Sequence, residues 1–277
     1  AASISALFAL VAFGWSYAII PDTFDSTQYY DLLFWGGGHV LQFTYLLLME
    51  TSWLWLADSC GAKIPLTPRV ASALLMLGLL PVLYVPVIYL SYDGTMADYA
   101  GQFTQLMKVG GAFSPVPIGL AVLYGIVVGD RTSAINPQRA ALLSSMLLFA
   151  IGGGISLMIK DSNTIITAHY HGTGGAISLA FMGLTFHLLP RLGYGKPDLK
   201  WATPMLYVYG GGQLLHILGL LWSGGYGVQR KVAGVEQGLH GVAQTAGMGL
   251  MGLGGLIAVV GGIMFLVVVF KSIRQKV

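Results

Sequence analysis

Long apolar runs alternate along this chain with short polar or proline-bearing breaks. A helix that crosses a bilayer needs about 20 mostly apolar residues. Eight segments reach that length, roughly 2–20, 33–57, 70–92, 107–129, 139–159, 165–190, 202–224 and 241–270. Between them fall Pro21, Pro65 and Pro68, Asp93-Gly94, Asn136-Pro137, Asp161-Ser162, Pro197 and Gly224-Gly225. The second and last segments are long, which predicts tilt. The fourth carries Pro115 and Pro117, which a membrane helix tolerates when neighbours satisfy the freed carbonyls. The pattern predicts an all-α polytopic membrane helix bundle, one transmembrane domain over 1–277, with no separate soluble domain.

Composition sharpens this. Charged residues make up 9% of the 277, against about 25% in a soluble domain. Hydrophobic residues at 55% exclude disorder. The 39 Gly point to close helix crossings. The one Cys, Cys60, leaves no intrachain disulfide and no Cys-based metal cage. A formal charge of +3 gives no reason to expect a nucleic-acid partner. Lys63, Arg69, Arg131, Arg139, Arg191, Lys196, Lys200, Lys271, Arg274 and Lys276 fall in one set of loops and ends. Lys108, Lys160, Arg230 and Lys231 fall in the other. By the positive-inside rule both termini are expected in the cytoplasm, in a bacterial or archaeal cytoplasmic membrane or an equivalent energy-transducing one.

Ionisable residues inside spans mark functional sites by default. On that topology His39 opens the second helix, and His169 and His171 the sixth, at one depth toward the outer side. In Ala168-His169-Tyr170-His171-Gly172 the two imidazoles point about 200° apart on a helix. They cannot hold one metal ion together, but they can serve two centres on two sides. Imidazole is an axial ligand of haem iron, and Gly172, Gly174 and Gly175 leave room for a flat macrocycle. The alternative is two polar residues hydrogen-bonded to neighbouring helices. The cluster Gly36-Gly37-Gly38 before His39 reads first as a helix crossing and second as close approach to a porphyrin face.

These residues resemble subunit I of the haem-copper oxidases, which includes the respiratory nitric oxide reductases. Thr164 to His171 is similar to that family's tenth helix. There the first His of a His-x-His pair binds a high-spin haem and the second a low-spin haem. Phe34-Trp35-Gly36-Gly37-Gly38-His39-Val40 resembles the start of its sixth helix, whose His binds a non-haem metal. Gln213-Leu214-Leu215-His216, followed by Gly224, Gly225, Gly227 and Arg230, resembles its eleventh helix and outer loop, whose basic residues pair with haem propionates. The resemblance covers nearly the whole chain, as helices five to twelve of a twelve-helix subunit. It implies two haems, most simply b-type, with His169 on the high-spin iron and His171 on the low-spin iron. It places Arg230, Lys231 and His216 about the cofactors and His39 at a catalytic non-haem copper or iron.

The departures are as informative. The family's first four helices, which supply the other low-spin haem ligand, have no counterpart before His39, so a split core with a partner membrane subunit is expected. The usual His-His metal ligands are also missing. The stretch Ser91 to Lys108 offers Tyr99, Gln102 and Gln105 instead, and an amide oxygen is a poor substitute for imidazole at copper. The ligand set for a non-haem metal is therefore incomplete in this chain. Leu41 and Phe43 stand where the oxidases carry Glu and Tyr, which argues against a proton-pumping oxygen reductase. Glu50 lies about 16 Å along the helix from His39, too far to share its metal. It either carries protons from the cytoplasm or pairs with Lys or Arg near the inner face. Lys108, near the start of the fourth span, snorkels outward. His187 reads as interfacial. His216 either lines the haem region or hydrogen-bonds within the bundle. His240 and Glu236 bind a cation, cap the last helix or touch a partner.

The leading expectation is a haem-bearing respiratory subunit that reduces a small diatomic ligand, nitric oxide before oxygen, with electrons from cytochrome c or quinol. The alternatives are a non-catalytic electron-transfer or anchor subunit with a degenerate site, and a haem-free transporter.

Overall fold

The structure is a computed structural model that describes residues 1–95, 97–129, 136–232, 234–237 and 239–275. Arg131 and Lys276, counted above for orientation, lie outside the described residues. The described residues form ten α-helices and short 3-10 turns: α1 (Ala2–Ile19), α2 (Ser26–Ser59), α3 (Pro68–Leu79), α4 (Val85–Ser91), α5 (Ala97–Gly110), α6 (Pro115–Val128), α7 (Pro137–Ser156), α8 (Thr164–Leu188), α9 (Leu199–Gly225) and α10 (Val242–Arg274). Counting α3 with α4 and α5 with α6, eight stretches are long and apolar enough to cross a membrane.

Several of the expected breakers turn out to be starters. Proline at the first helical position costs nothing, because that N–H has no partner in a helix. Pro68 and Pro137, two of those breakers, sit there, and so does Pro115, which was expected inside the fourth span. Thr67 caps α3 by accepting from Val70 N, and Asn136 caps α7 by accepting from Gln138 N at 2.8 Å. Such caps contribute about 1 kcal/mol each. The fourth span departs from expectation. It begins at Ala97 rather than near 107, and it is broken between Gly110 and Pro115. Lys108 therefore lies in the last turn of α5, where it is exposed, and not at the start of a span. The third span carries a 3-10 turn, Leu80–Tyr84, at Pro81.

The chain groups into two compact units, residues 1–54 with 62–129, and residues 55–61 with 130–277. The first unit is built on an aromatic core. Ala9 and Ala12 of α1, Val40 and Phe43 of α2, Tyr89 of α4, and Tyr99 and Phe103 of α5 are all buried in it. Its hydroxyls answer one another. The Tyr89 hydroxyl donates to the Ala12 carbonyl at 2.8 Å, and Ser16 Oγ lies 2.7 Å from Tyr89 OH and 3.2 Å from Tyr99 OH. The second unit is built on helix backbones in near contact. A Cβ on Gly212 would lie 2.8 Å from the Gly254 carbonyl oxygen and 2.9 Å from Ala258 Cα, so α9 and α10 meet only because these positions are glycine.

Candidate functional site

In the second unit the site is carried by α8. Asn163 starts this helix, its side chain accepting from Ile165 N at 2.9 Å. The loop after α9 is pinned to the same end. Thr164 N donates to the Val228 carbonyl at 3.0 Å, Thr164 Oγ1 donates to the Leu220 carbonyl at 2.9 Å, and Gln229 bridges to Asn163. Arg230 and Lys231 are thereby held at the N-terminal end of α8. Arg230 Nε donates to Ser162 Oγ at 3.1 Å, and Lys231 takes a left-handed backbone, φ +61°.

His169 and His171 leave α8 toward different helices, as their two-residue spacing predicts. His169 turns to α7, where its Nδ1 donates to the Gly152 carbonyl at 2.7 Å. That carbonyl is reachable because α7 and α8 touch backbone to backbone. A Cβ at Gly152 would lie 2.8 Å from Thr173 N and 2.9 Å from the Gly172 carbonyl carbon. Nearby, Ser145 Oγ of α7 donates to the Ala176 carbonyl at 2.7 Å. His171 turns to α9. Its ring meets that of His216 edge to face, with centroids 4.8 Å apart and planes at 69°. His216 Nδ1 donates to the Met251 carbonyl of α10 at 2.9 Å. His216 thus takes the hydrogen-bonding option within the bundle and also touches a predicted haem ligand. Sequence reasoning missed Gln213. It lies one turn before His216 and packs on Gly175, and its Oε1 is buried without a partner among the described residues.

A carbonyl oxygen only accepts, so Nδ1 carries a proton in His169 and His216, and in the neutral ring the lone pair is on Nε2. That tautomer is the one a metal or haem iron takes, with the backbone fixing the ring from behind. The donor chemistry at His169 therefore fits an axial haem ligand. The glycines need a correction. Gly172 is filled by Gly152 and Gly175 by Gln213, while beside Gly174 the space is open. Only Gly174 leaves room against the α8 backbone.

In the first unit, His39 is half-buried on α2. Its Nδ1 donates to the Trp35 carbonyl at 2.6 Å, and its ring lies 4.9 Å from that of Trp35. Trp35 is itself anchored, its Nε1 donating to the Ala100 carbonyl of α5 at 3.1 Å. The room expected beside a porphyrin at Gly36 and Gly37 is filled by Tyr89, Tyr99 and Phe103, and by Phe13; Gly38 is open. Of the three residues that stand where the family has His-His, Tyr99 is fully buried on Ser16, whereas Gln102 and Gln105 line a groove of about 260 Å³ with Pro81 and Leu106. Among the described residues no group of three or more His, Cys, Asp or Glu side chains converges on one point.

Glu50 is fully buried on α2, and its Oε1 accepts from the Ser114 hydroxyl at 3.0 Å. Of the two readings, carrying protons or pairing with Lys or Arg, the second meets a serine in place of the base. His187 ends α8, its ring 6.5 Å from that of Trp55. His240 is exposed, and α10 is capped instead by Gln244, which accepts from Gly241 N at 2.7 Å and His240 N at 3.0 Å.

No family model matches the chain. An uncharacterized protein of Rickettsia prowazekii (strain Madrid E) is 30% identical over 96% of this chain and 60% of its own length. An uncharacterized protein of Aquifex aeolicus (strain VF5) is 29% identical over 60% of this chain and 40% of its own length. The chain thus spans 60% and 40% of the lengths of these two bacterial relatives.

Proposed function

We propose that this chain is a haem-bearing integral membrane subunit of a bacterial respiratory complex, built like the core of haem-copper oxidase subunit I. One observation carries the reading. Two histidines two residues apart on α8 are directed to different neighbours, and the first has its Nδ1 fixed on the Gly152 carbonyl. His169 would hold a high-spin haem and His171 a low-spin haem, with b-type the simplest assignment. The second low-spin ligand would come from outside these 277 residues, from a partner membrane subunit or a longer form of the chain. Bound there, haem iron supplies one-electron transfer and an open position for a diatomic ligand.

The chain's own residues then have definite tasks. Gly152 holds the His169 ring in one tautomer and one orientation. His216 packs on His171 and limits its rotation. Arg230 and Lys231 place positive charge at the N-terminal end of α8, complementary to propionates. Phe43 is buried in the aromatic core and has no proton to give, and Leu41 has none either. This supports nitric oxide ahead of oxygen as the substrate, with cytochrome c or quinol as donor.

A second reading is a non-catalytic electron-transfer or anchor subunit. It is favoured by the lack of a three-ligand metal group among the described residues. Optical spectra of the complex purified in mild detergent separate the two. Reduced haem bands that shift with carbon monoxide support the catalytic reading. Haem bands indifferent to carbon monoxide support electron transfer. A colourless preparation overturns both and leaves a haem-free transporter.

A further inference from the structure

The first unit holds a buried acid that the haem reading does not use. Glu50 has no exposed surface, and its Oε2 has no hydrogen-bond partner among the described residues. Its partner among the described residues, Ser114, is itself buried and sits at the start of α6, where the span is broken. Pro115 and Pro117 carry no N–H, so the carbonyls of Gly111 and Phe113 receive no bond from the residue four ahead. The turn is held by other bonds, Gly111 N to Met107 O at 2.9 Å and Phe113 N to Gly110 O at 3.2 Å. On the third side, Gly78 of α3 packs against Ser114 and Leu47, and any side chain there would displace the serine. Trp53 of α2 lies against Gly119 of α6 one turn further on.

A carboxyl oxygen, a hydroxyl and a proline-opened turn therefore meet in an apolar interior. Unpaired backbone at membrane depth is tolerated only where it is buried in protein or lines a cavity. Broken spans of this kind present oxygen donors to sodium ions or protons. An uncompensated carboxylate there is expensive. The charged groups of the elements around it do not meet it. Arg69 lies in the first turn of α3, Asp98 and Lys108 are exposed on α5, and α6 carries no charge, its Tyr124 being exposed. On α2 itself, Asp31 and His39 lie at least three turns earlier, and Asp58 about two turns later.

We propose that Glu50, Ser114 and the open turn between α5 and α6 form a binding site for a small exchangeable cation, a proton or a sodium ion. The site draws on no haem, so a colourless protein would leave it standing. Infrared spectra of the full complex in H2O and D2O, in sodium or choline chloride, test it. A proton occupant gives a carboxylic-acid carbonyl band that is lost in Glu50→Gln and moves in D2O within minutes. A sodium occupant gives a Glu50 carboxylate band in sodium chloride that is lost in choline chloride. Ser114→Ala, which removes one donor and little volume, shifts the band or weakens sodium binding several-fold. A Glu50 band indifferent to D2O and to sodium would mean a closed structural hydrogen bond and overturn the proposal. The wild-type exchange alone decides this even if Glu50→Gln fails to fold.

Discussion

The two units bury polar groups differently. In the first, hydroxyls satisfy one another across an aromatic core, and glycine makes room for side chains: at Gly36 an added Cβ would lie 2.6 Å from Tyr99 OH and 3.0 Å from Phe103 Cζ. In the second, the imidazoles of His169 and His216 reach carbonyls of neighbouring helices, whereas His39 of the first bonds within its own helix, and at Gly152, Gly212 and Gly254 glycine lets backbones touch. Side chains can rotate away from an intruding methyl group, but helix backbones cannot. The same substitution should therefore cost more in the second unit, and the groups most at risk there are the imidazoles.

The largest effect is expected at the α9–α10 crossing. Gly212→Val or Gly254→Leu should destabilise by about 3 kcal/mol or more, the upper end for overpacking. Gly249→Leu and Gly262→Leu, on the same helix but facing open space, should be nearly neutral. Thermal melting in detergent reads both, and equal losses would break the contrast. Next comes Gly152→Ala. It forces α7 from α8 and removes the support of His169, so about 2 kcal/mol should be lost together with a shift in the spectrum assigned to the His169 haem. A stability loss with an unchanged spectrum would mean that Gly152 is packing alone. Gly36→Ala should cost less, about 1 kcal/mol, because Tyr99 and Phe103 can give. Adding Tyr99→Phe should restore part of it, which a double-variant melt would show.

The smallest effect concerns Cys60, at the end of α2. Burial raises its thiol above the usual range, with the Ser59 hydrogen bond and the Arg139 charge opposing. A raised value means less thiolate at neutral pH. Maleimide labelling should therefore be slow at pH 7 and accelerate through a higher pH range than for a free thiol. If the Lys/Arg bias sets the topology, an impermeant maleimide labels only inside-out vesicles. Labelling from the outside would reverse the orientation.

The spans were legible because length and apolarity are what a bilayer selects, and the eight stretches survive with shifted ends. The break at Gly110–Pro115 was not, since proline inside a span is compatible with a continuous helix until neighbours decide. The opposed directions of His169 and His171 follow from helical geometry alone. Their partners do not, because the carbonyls of Gly152 and Met251 become reachable only through close helix approach. Glu50 was recognisable as a buried acid, but its serine partner lies 64 positions away across a turn the apolar pattern hid.

The central claim is that α8 carries two haems on two histidines. The most direct measurement is the haem-to-protein ratio of the purified complex, by pyridine haemochrome, in wild type, His169→Ala and His171→Ala. The account predicts two b-type haems per chain, and one in each variant, the high-spin haem lost with His169 and the low-spin haem with His171. No haem in the wild type, or two haems retained in both variants, would contradict it.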